Sequence, residues 1–225
     1  MLHKIVLSLP ILAAFGATET DTAKRLDAAA DVLREVMDIA DRAIPQRLLD
    51  RAECVVVVPS LKKGAFFIGG KYGRGFVVCR RDGGVSWGAP GGVKVEGGSF
   101  GLQFGGSETD VVMLIMNERG AKRLLNTKFT LGGDASAAAG PVGRTATAET
   151  DALMTAEILT WSRARGLFAG VSLQGATMRV DQEANQQLYG AKLANRDVVL
   201  SDRAVPDASR KLHELLNKHS SRKTK

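Results

Sequence analysis

The chain has 225 residues, a formal net charge of +7 and an isoelectric point near 9.6. This length allows one domain that buries about 70% of its unfolded surface, and we favour one domain with appendages. The positive charge indicates an acidic partner, either lipid head groups or nucleic acid. More than half of the net charge lies at residues 201–225, which hold seven Lys or Arg against three Asp or Glu.

The N-terminal residues 1–17 have the three regions of a secretory signal. Lys4 precedes an apolar run, Ile5–Phe15, and small residues follow at Gly16 and Ala17. The run is shorter than the roughly 20 residues that a membrane span needs, and no other segment could cross a bilayer. We therefore predict export, with a periplasmic or membrane-associated location. The alternative is an interfacial anchor or an ordinary first helix in a cytoplasmic protein.

The first predicted elements are helical. Apolar residues return every three or four positions from Thr20 to Ala43, opposite a largely acidic face, which predicts an amphipathic helix. Pro45 marks its end or a restart into Gln46–Leu49.

The pattern then changes to that of strands. Cys54–Val58 is a β-branched run stopped by Pro59, and Ser60–Gly64 is interpreted as a basic turn. Two further strands are predicted on either side of the glycine-rich segment GGKYGRG, whose glycines permit a bulge or bend. A nucleotide-binding loop would need a helix after those glycines, and a strand follows instead. Asp82-Gly83 is then interpreted as a hairpin turn into Val85–Trp87.

The central stretch, Gly97–Gly120, has the most distinctive pattern. Phe100, Leu102 and Phe104 share one face of a predicted strand, and the opposite face, with Gly101 and Gly105, is nearly bare. Such a face indicates close approach by another layer or by a ligand, and Gly101 and Gly105 are our candidates for an apolar lipid-binding groove. A buried strand, Val111–Met116, and a helix capped by Asn117 are predicted to follow.

The remaining elements alternate strands and helices. Strands are predicted at Lys128–Leu131, Asp134–Ala139, Ile158–Ser162 and Leu167–Val180. Asp181 is predicted to cap a helix that Gly190 closes. Pro206 opens a last helix with one apolar side and basic flanks at Arg210, Lys211 and Lys218, which is either interfacial or packed on the domain.

The residues needed for catalysis are scarce. The histidines, His3, His213 and His219, all lie in the predicted signal or tail, so the predicted domain lacks a nucleophile–histidine pair and a histidine-containing metal site. Cys54 and Cys79 are either buried small apolar residues or a disulfide. We predict no cofactor and no bound metal.

Carboxylates are the alternative source of chemistry. Paired acids can act as acid and base, so a hydrolase using Glu108, Asp110 or Asp134 is the runner-up function. Glu149 and Asp151 form a further pair. For Asp134, Arg144 and Arg163, a buried structural network is the preferred interpretation.

Six pieces of the chain, in order from about Ala43 to Gly190, resemble the SYLF domain, a lipid-binding domain of bacterial and eukaryotic proteins. They are IPQRLLDRAECVVVVP, GAFFIGGKYGRGFVV, GGSFGLQFGGSETDVVMLIMNERG, FTLGGDASAAAGPVGR, ILTWSRARGLFAGVSLQG and DQEANQQLYG. The resemblance implies binding to phosphoinositides or other anionic lipids, with actin binding in some fungal members, and it implies no catalytic residues. The helix Thr20–Ala43 departs from the family's lipid-binding helix because it is more acidic than basic. Actin binding is not expected of an exported chain.

The sequence thus predicts a single α+β domain. Its core would be a curved, mainly antiparallel sheet or barrel-like sandwich with an N-terminal amphipathic helix and short covering helices. Its boundaries would be 1–17 for the signal, 18–195 for the SYLF-like domain and 196–225 for a basic helical tail. The predicted function is non-catalytic binding of anionic lipids at a membrane surface, because six basic residues in turns could gather at one rim of the sheet. These are Lys62, Lys63, Lys71, Arg74, Arg80 and Arg81.

Nucleic acid is the less favoured partner. Single-strand binders stack bases on exposed aromatic side chains beside basic residues, and aromatic residues make up only 5% of this chain. Tyr72 and Trp87 are the two candidates near basic positions.

Overall fold

The structure is a computed structural model that describes residues 20–38, 44–66, 68–81, 84–100, 105–141, 155–164, 167–170, 173 and 175–220. The helices are α1 Asp21–Asp38, α2 Gln46–Arg51, α3 Glu118–Leu124, α4 Gln182–Tyr189, α5 Asn195–Val199 and α6 Arg210–His219. The strands are β1 Cys54–Phe66, β2 Ile68–Arg81, β3 Ser86–Trp87, β4 Gly91–Phe100, β5 Gly105–Ile115, β6 Lys128–Thr130, β7 Ala137–Ala139, β8 Ile158–Ala164, β9 Leu167–Gly170 and β10 Thr177–Val180. The predicted signal, Gly101, Arg144, Glu149, Asp151 and the turn at Asp82-Gly83 lie outside the described residues.

One curled, half-barrel sheet forms the centre of the fold, in the strand order β6-β10-β4-β2-β1-β5-β8-β7. Strand β3 pairs with β2, and β9 pairs with β8. Every pairing between these strands is antiparallel except that of β7 with β8. The predicted class, α+β with a curved, mainly antiparallel sheet, is confirmed.

Alternate residues of the central strands enter two separate hydrophobic cores, which explains why the strands contain unbroken apolar runs. Val55 and Val57 of β1 pack with α1 and α6, whereas Val56 and Val58 pack inside the curl of the sheet. The predicted buried strand Val111–Met116 is found as Val111–Ile115 of β5, which is buried throughout, and Met116 after the strand is half-buried.

Side-chain caps define two of the helices as predicted. The Asn117 side chain accepts a hydrogen bond from Gly120 N at the start of α3, and Asp181 accepts one from Ala184 N at the start of α4. Gly190 closes α4 in the left-handed conformation, with φ of 76°.

The basic turn predicted at Ser60–Gly64 is wrong, because β1 continues through Pro59 to Phe66. Its pairing register shifts on both sides between Val57 and Lys62, which is the mark of a β-bulge. Ser60 has a positive φ of 54° at this bulge, and its N–H donates to Asp110 Oδ1 at 2.9 Å. Proline usually ends a strand, which is why the sequence predicts a turn here, whereas a bulge lets a strand carry proline.

The glycine-rich segment Gly69–Gly75 is itself part of β2. A Cβ added at Gly75 would lie 2.0 Å from the carbonyl oxygen of Val57, so β1 at its bulge passes too close to β2 for a side chain. The glycines thus serve the bulge as predicted, but the bulge lies in the neighbouring strand. The predicted strand Leu167–Val180 is also divided, into β9 and β10, which pair with different neighbours.

Helix α6 packs on the domain, which is one of the two alternatives for the last predicted helix. Leu212 and Leu216 are buried in the core that α1 also enters. Lys211 forms an ion pair with Asp31 of α1 at 2.8 Å, so part of the acidic face of α1 is covered. None of the helices in the described parts of the chain is long and apolar enough to cross a membrane.

A disulfide joins Cys54 and Cys79, which is the second of the two alternatives that the sequence allows. The two cysteines lie directly opposite each other in β1 and β2 and are separated by 25 positions in the chain. The bond therefore closes the β1–β2 hairpin at the end away from its turn.

We expect the free energy of unfolding of the double variant Cys54→Ala/Cys79→Ala to be about 2 kcal/mol lower than that of the wild type. The main reason is that the unfolded chain gains conformational freedom without the bond. Urea unfolding with and without a thiol reductant measures this effect. The reductant should lower the midpoint of the wild type and leave that of the double variant unchanged. A wild-type midpoint that did not respond to reductant would contradict the prediction.

Candidate functional site

The six basic candidates do not gather at one rim. Lys62, Lys63 and Lys71 lie in β1 and β2 near the turn of their hairpin, whereas Arg80 and Arg81 end β2 on the far side. Arg80 follows Lys71 by nine positions in one strand, which corresponds to about 30 Å. All six lie in strands, so their predicted placement in turns is wrong.

Lys63 and Lys71 form a like-charge pair near the hairpin turn. They are directly opposite each other in the antiparallel register, so their side chains share one face of the sheet. Both are half-buried, and neither has an ion-pair partner among the described residues. Burial and then the charge of Lys71 lower the pKa of Lys63. Two ammonium groups held together at this position favour a bound anion.

Thr109 lies on the same face, one step further into the curl. Leu61 is its partner across β1 and β5, and Lys63 is paired with Ser107 of β5. Thr109 and Lys63 are thus diagonal neighbours, with Cα atoms about 7–8 Å apart. Thr109 is only 7% exposed, and its hydroxyl has no hydrogen-bond partner among the described residues.

Lys62 lies on the opposite face of the sheet. It pairs with Tyr72 on one side and with Glu108 on the other, and Tyr72 in turn pairs with Glu96. This row carries charges of both signs. Tyr72 is 48% exposed, whereas the other predicted stacking residue, Trp87, is buried.

Arg74 forms an ion pair with a buried carboxylate. Its guanidinium donates two hydrogen bonds to Asp181, at 2.5 and 2.8 Å, and one to Glu183 at 3.1 Å. Lys94 Nζ lies 3.6 Å from Asp181, whose side chain is fully buried. Hydrogen bonding to Asp181 raises the pKa of Arg74. Arg74 therefore belongs to a structural ion pair that links β2 to the start of α4.

Arg80 is also engaged, in this case by hydrogen bonds to backbone carbonyls. Its guanidinium donates to Ala52 O and Ser220 O, both at 2.9 Å, and lies 4.1 Å from the centroid of the Trp87 ring. Weaker contacts reach Leu49 O and Asp50 O in the last turn of α2, whose carbonyls lack helical partners.

The basic residues of α6 flank a helix whose apolar side is covered. Lys211 contacts α1 as described, and Arg210 pairs with Asp207 at 2.5 Å on the surface. Lys218 is exposed in the last turn.

Glycines form a bare row across four strands on the Lys62 face. Gly106, Gly64, Gly70 and Gly98 are consecutive partners in β5, β1, β2 and β4. A Cβ added at the last three would meet nothing within 4 Å. The candidate Gly105 lies in the adjacent row, opposite Ala65. The sequence does not predict this row because the glycines of Gly69–Gly75 are interpreted there as permitting a bulge or bend between two strands, although the paired glycines Gly69-Gly70, Gly97-Gly98 and Gly105-Gly106 are a visible signal.

The candidate acids do not form a cleft. Asp110 is held by Arg163, whose guanidinium donates to Asp110 Oδ2 at 2.6 and 2.8 Å and also pairs with Glu35. Asp134 is exposed, and its carboxylate accepts from Thr130 N at 2.6 Å in a turn. The predicted network of Asp134 with Arg163 is therefore wrong, since Arg163 pairs with acids of α1 and β5.

Metal-binding and nucleophilic groups are not assembled in the described part of the chain. No cluster of three or more His, Cys, Asp or Glu residues there could hold a metal ion. Both ring nitrogens of His213 lie against backbone carbonyls, those of Ser209 and Gly88, at 3.0 and 2.7 Å. The cysteines are joined in the disulfide.

Comparison with known proteins identifies the fold family. A family model described as "Ysc84: Las17-binding protein actin regulator" matches residues 96–219, more than half of the chain. The chain belongs to the Ysc84 family. This membership confirms the resemblance to the SYLF domain that the six sequence pieces indicated.

The curated relatives of this Ysc84-family chain are longer proteins. An SH3 domain-containing protein of Schizosaccharomyces pombe is 35% identical over 181 residues, which cover 79% of this chain and 42% of the relative. Protein YSC84 of Saccharomyces cerevisiae is 33% identical, with 79% and 38% covered. The human SH3 domain-containing YSC84-like protein 1 is 30% identical, with 84% and 56% covered. The chain thus spans between 38% and 56% of the length of these three relatives.

Family membership corrects the predicted location. The Ysc84 family is described by its regulation of actin, a protein of the cell interior, and these relatives come from yeasts and human. The export predicted from residues 1–17 is therefore wrong. The expectation that actin binding is absent rested on export and loses its basis.

Proposed function

We propose that this Ysc84-family domain binds anionic lipids at a membrane surface and performs no chemistry on them. The observation that carries this proposal is the like-charge pair of Lys63 and Lys71, which lies directly across two strands without a carboxylate partner in the described structure. Like charges directly opposite each other destabilise a sheet, and a bound anion would compensate them. A membrane rich in acidic lipids supplies one.

The rest of the site supports a non-catalytic role. The candidate acids Asp110 and Asp134 are engaged in an ion pair and a turn, and the cysteines are bridged. Of the two aromatic residues that could stack nucleic-acid bases, Trp87 is buried beneath Arg80 and Tyr72 alone is exposed. Anionic lipid is therefore the partner class that these side chains fit best.

The docking surface in this proposal is narrower than the sequence predicted. Arg74 and Arg80 are engaged in internal contacts. Lys63 and Lys71 remain on one face at the hairpin end of β1 and β2, and Lys62 lies on the other face. Each basic side chain near an anionic membrane contributes about 1 kcal/mol, so the two lysines on one face give reversible rather than permanent docking.

Replacing both Lys63 and Lys71 by glutamine should weaken binding to mixed phosphatidylcholine–phosphatidylserine vesicles by about 2 kcal/mol, or roughly 30-fold. Co-sedimentation with these vesicles and with phosphatidylcholine alone measures the loss. The matched control is Lys122→Gln/Lys192→Gln, which removes the same charge from exposed positions elsewhere. Equal losses of vesicle binding in the two double variants would show that net charge alone, and not this pair of lysines, determines binding. Absence of vesicle binding in the wild type would refute the proposed function.

A further inference from the structure

The concave side of the sheet contains an unusual group of polar side chains. Lys63, Lys71 and Thr109 project from the same face, as their pairing register requires. Neighbouring positions on that face further into the curl, Leu61, Val95 and Val111, are buried and apolar. The two lysines thus lie where the hydrophobic lining of the curl gives way to solvent.

The Thr109 hydroxyl is not explained by the fold. It is nine-tenths buried, and it lacks a hydrogen-bond partner in the part of the chain that the structure describes. Leaving a buried hydroxyl unpaired costs about 1–3 kcal/mol, whereas valine would have the same shape without this cost. An unpaired donor beside two half-buried ammonium groups indicates that an acceptor-rich group binds there.

The charge and geometry of the group specify its ligand. Two lysines supply two positive charges, and the lysines and the hydroxyl together can donate several hydrogen bonds. A phosphate monoester carries about −1.5 to −2 charges at neutral pH and offers three acceptor oxygens. A phosphodiester carries a single charge and so leaves one lysine uncompensated.

We propose that Lys63, Lys71 and Thr109 form a binding site for a phosphate monoester. The site rests on the proposed function when the phosphate belongs to a lipid head group, since the same lysines then meet the membrane. Each lysine supplies a localised positive charge, and the Thr109 hydroxyl supplies selectivity between phosphate and other acidic groups. Ser107, which pairs with Lys63 and is exposed, lies at the entrance.

The decisive variant is Thr109→Val, because removing an unpaired buried hydroxyl should leave the unfolding midpoint unchanged or raise it. The wild type should bind phosphatidylcholine vesicles containing phosphatidic acid more tightly than vesicles of equal total charge containing phosphatidylserine. Thr109→Val should reduce this preference by about tenfold, because it weakens binding to the phosphatidic acid vesicles. The matched control is Thr177→Val, a half-buried threonine in β10 of the same sheet.

Soluble probes identify the source of the phosphate. Glycerol phosphate and inorganic phosphate, titrated by calorimetry, should compete with phosphatidic acid vesicles in the wild type and not in Thr109→Val. Binding of the soluble probes without any vesicle binding would support the site and refute the membrane function. Vesicle binding without a preference for phosphatidic acid, or a preference that survives in Thr109→Val and Lys63→Gln, would overturn the phosphate site and leave the membrane function standing.

Discussion

Replacing Asp181 by alanine is expected to lower the free energy of unfolding by about 3–5 kcal/mol. The Asp181 side chain is fully buried, and its removal leaves the Arg74 guanidinium without its main partner. The same carboxylate caps α4 by accepting from Ala184 N at 3.2 Å, a contact whose loss costs about 1 kcal/mol. Urea unfolding measures the change. Asp207→Ala, which removes a carboxylate from an exposed ion pair, is the control and should have almost no effect.

The conservative variant Asp181→Asn separates charge from capping, and its effect depends on pH. Burial raises the pKa of the Asp181 carboxyl, but hydrogen bonds from Arg74 and Ala184 N and the charges of Arg74 and Lys94 outweigh burial, so the net pKa lies below 3.8. The folded value is thus below the unfolded one. The stabilisation by the carboxylate is complete above an unfolded pKa of about 3.9 and is lost as the pH falls through the folded value.

The difference in unfolding free energy between the wild type and Asp181→Asn should therefore be constant near neutral pH and become smaller below about pH 4. A difference that stayed constant to lower pH would show that the ion pair contributes no pH-dependent stability.

Replacing Arg80 by methionine should lower the free energy of unfolding by about 3 kcal/mol or more. Arg80 is 7% exposed, and its guanidinium satisfies carbonyls from two distant parts of the chain, Ala52 and Ser220. Methionine fills a similar volume but cannot donate, so these buried acceptors would be left unpaired at about 1–3 kcal/mol each. The stacking of the guanidinium on Trp87 would also be lost.

Chemical unfolding of Arg80→Met, Arg80→Lys and Arg179→Met tests this expectation. Arg80→Lys should recover only part of the loss, because an ammonium group cannot reproduce the planar fork that reaches several carbonyls. Arg179 lies in a strand as Arg80 does, but its ion pair with Glu96 is at the surface, so Arg179→Met should be nearly neutral. Equal effects at Arg80 and Arg179 would show that the buried contacts do not matter.

The elements that could be predicted from sequence are those that local chemistry determines. The caps at Asn117 and Asp181, the closing Gly190 and the buried run Val111–Ile115 each follow from residues within one turn or strand. The bulge of β1 could not be predicted in this way. It depends on Gly75 in the neighbouring strand and on the Asp110 carboxylate of β5, and only the pairing brings these together.

The candidate site shows the same division. The sequence identifies the basic candidates but does not predict where they lie in the fold. Lys71 and Arg80, for example, belong to one strand and are about 30 Å apart. Internal hydrogen bonds engage Arg74 and Arg80, of which only Arg80 is buried. Thr109 carries no signal in the sequence, because a threonine between Glu108 and Asp110 in a strand is ordinary until its hydroxyl is found without a partner.

The packing of α6 on α1 also has a consequence for synthesis. Helix α6 is translated long after α1, so the part of α1 that α6 covers stays exposed for many seconds while the strands between them emerge. This apolar surface of the nascent chain is therefore open to aggregation until α6 emerges.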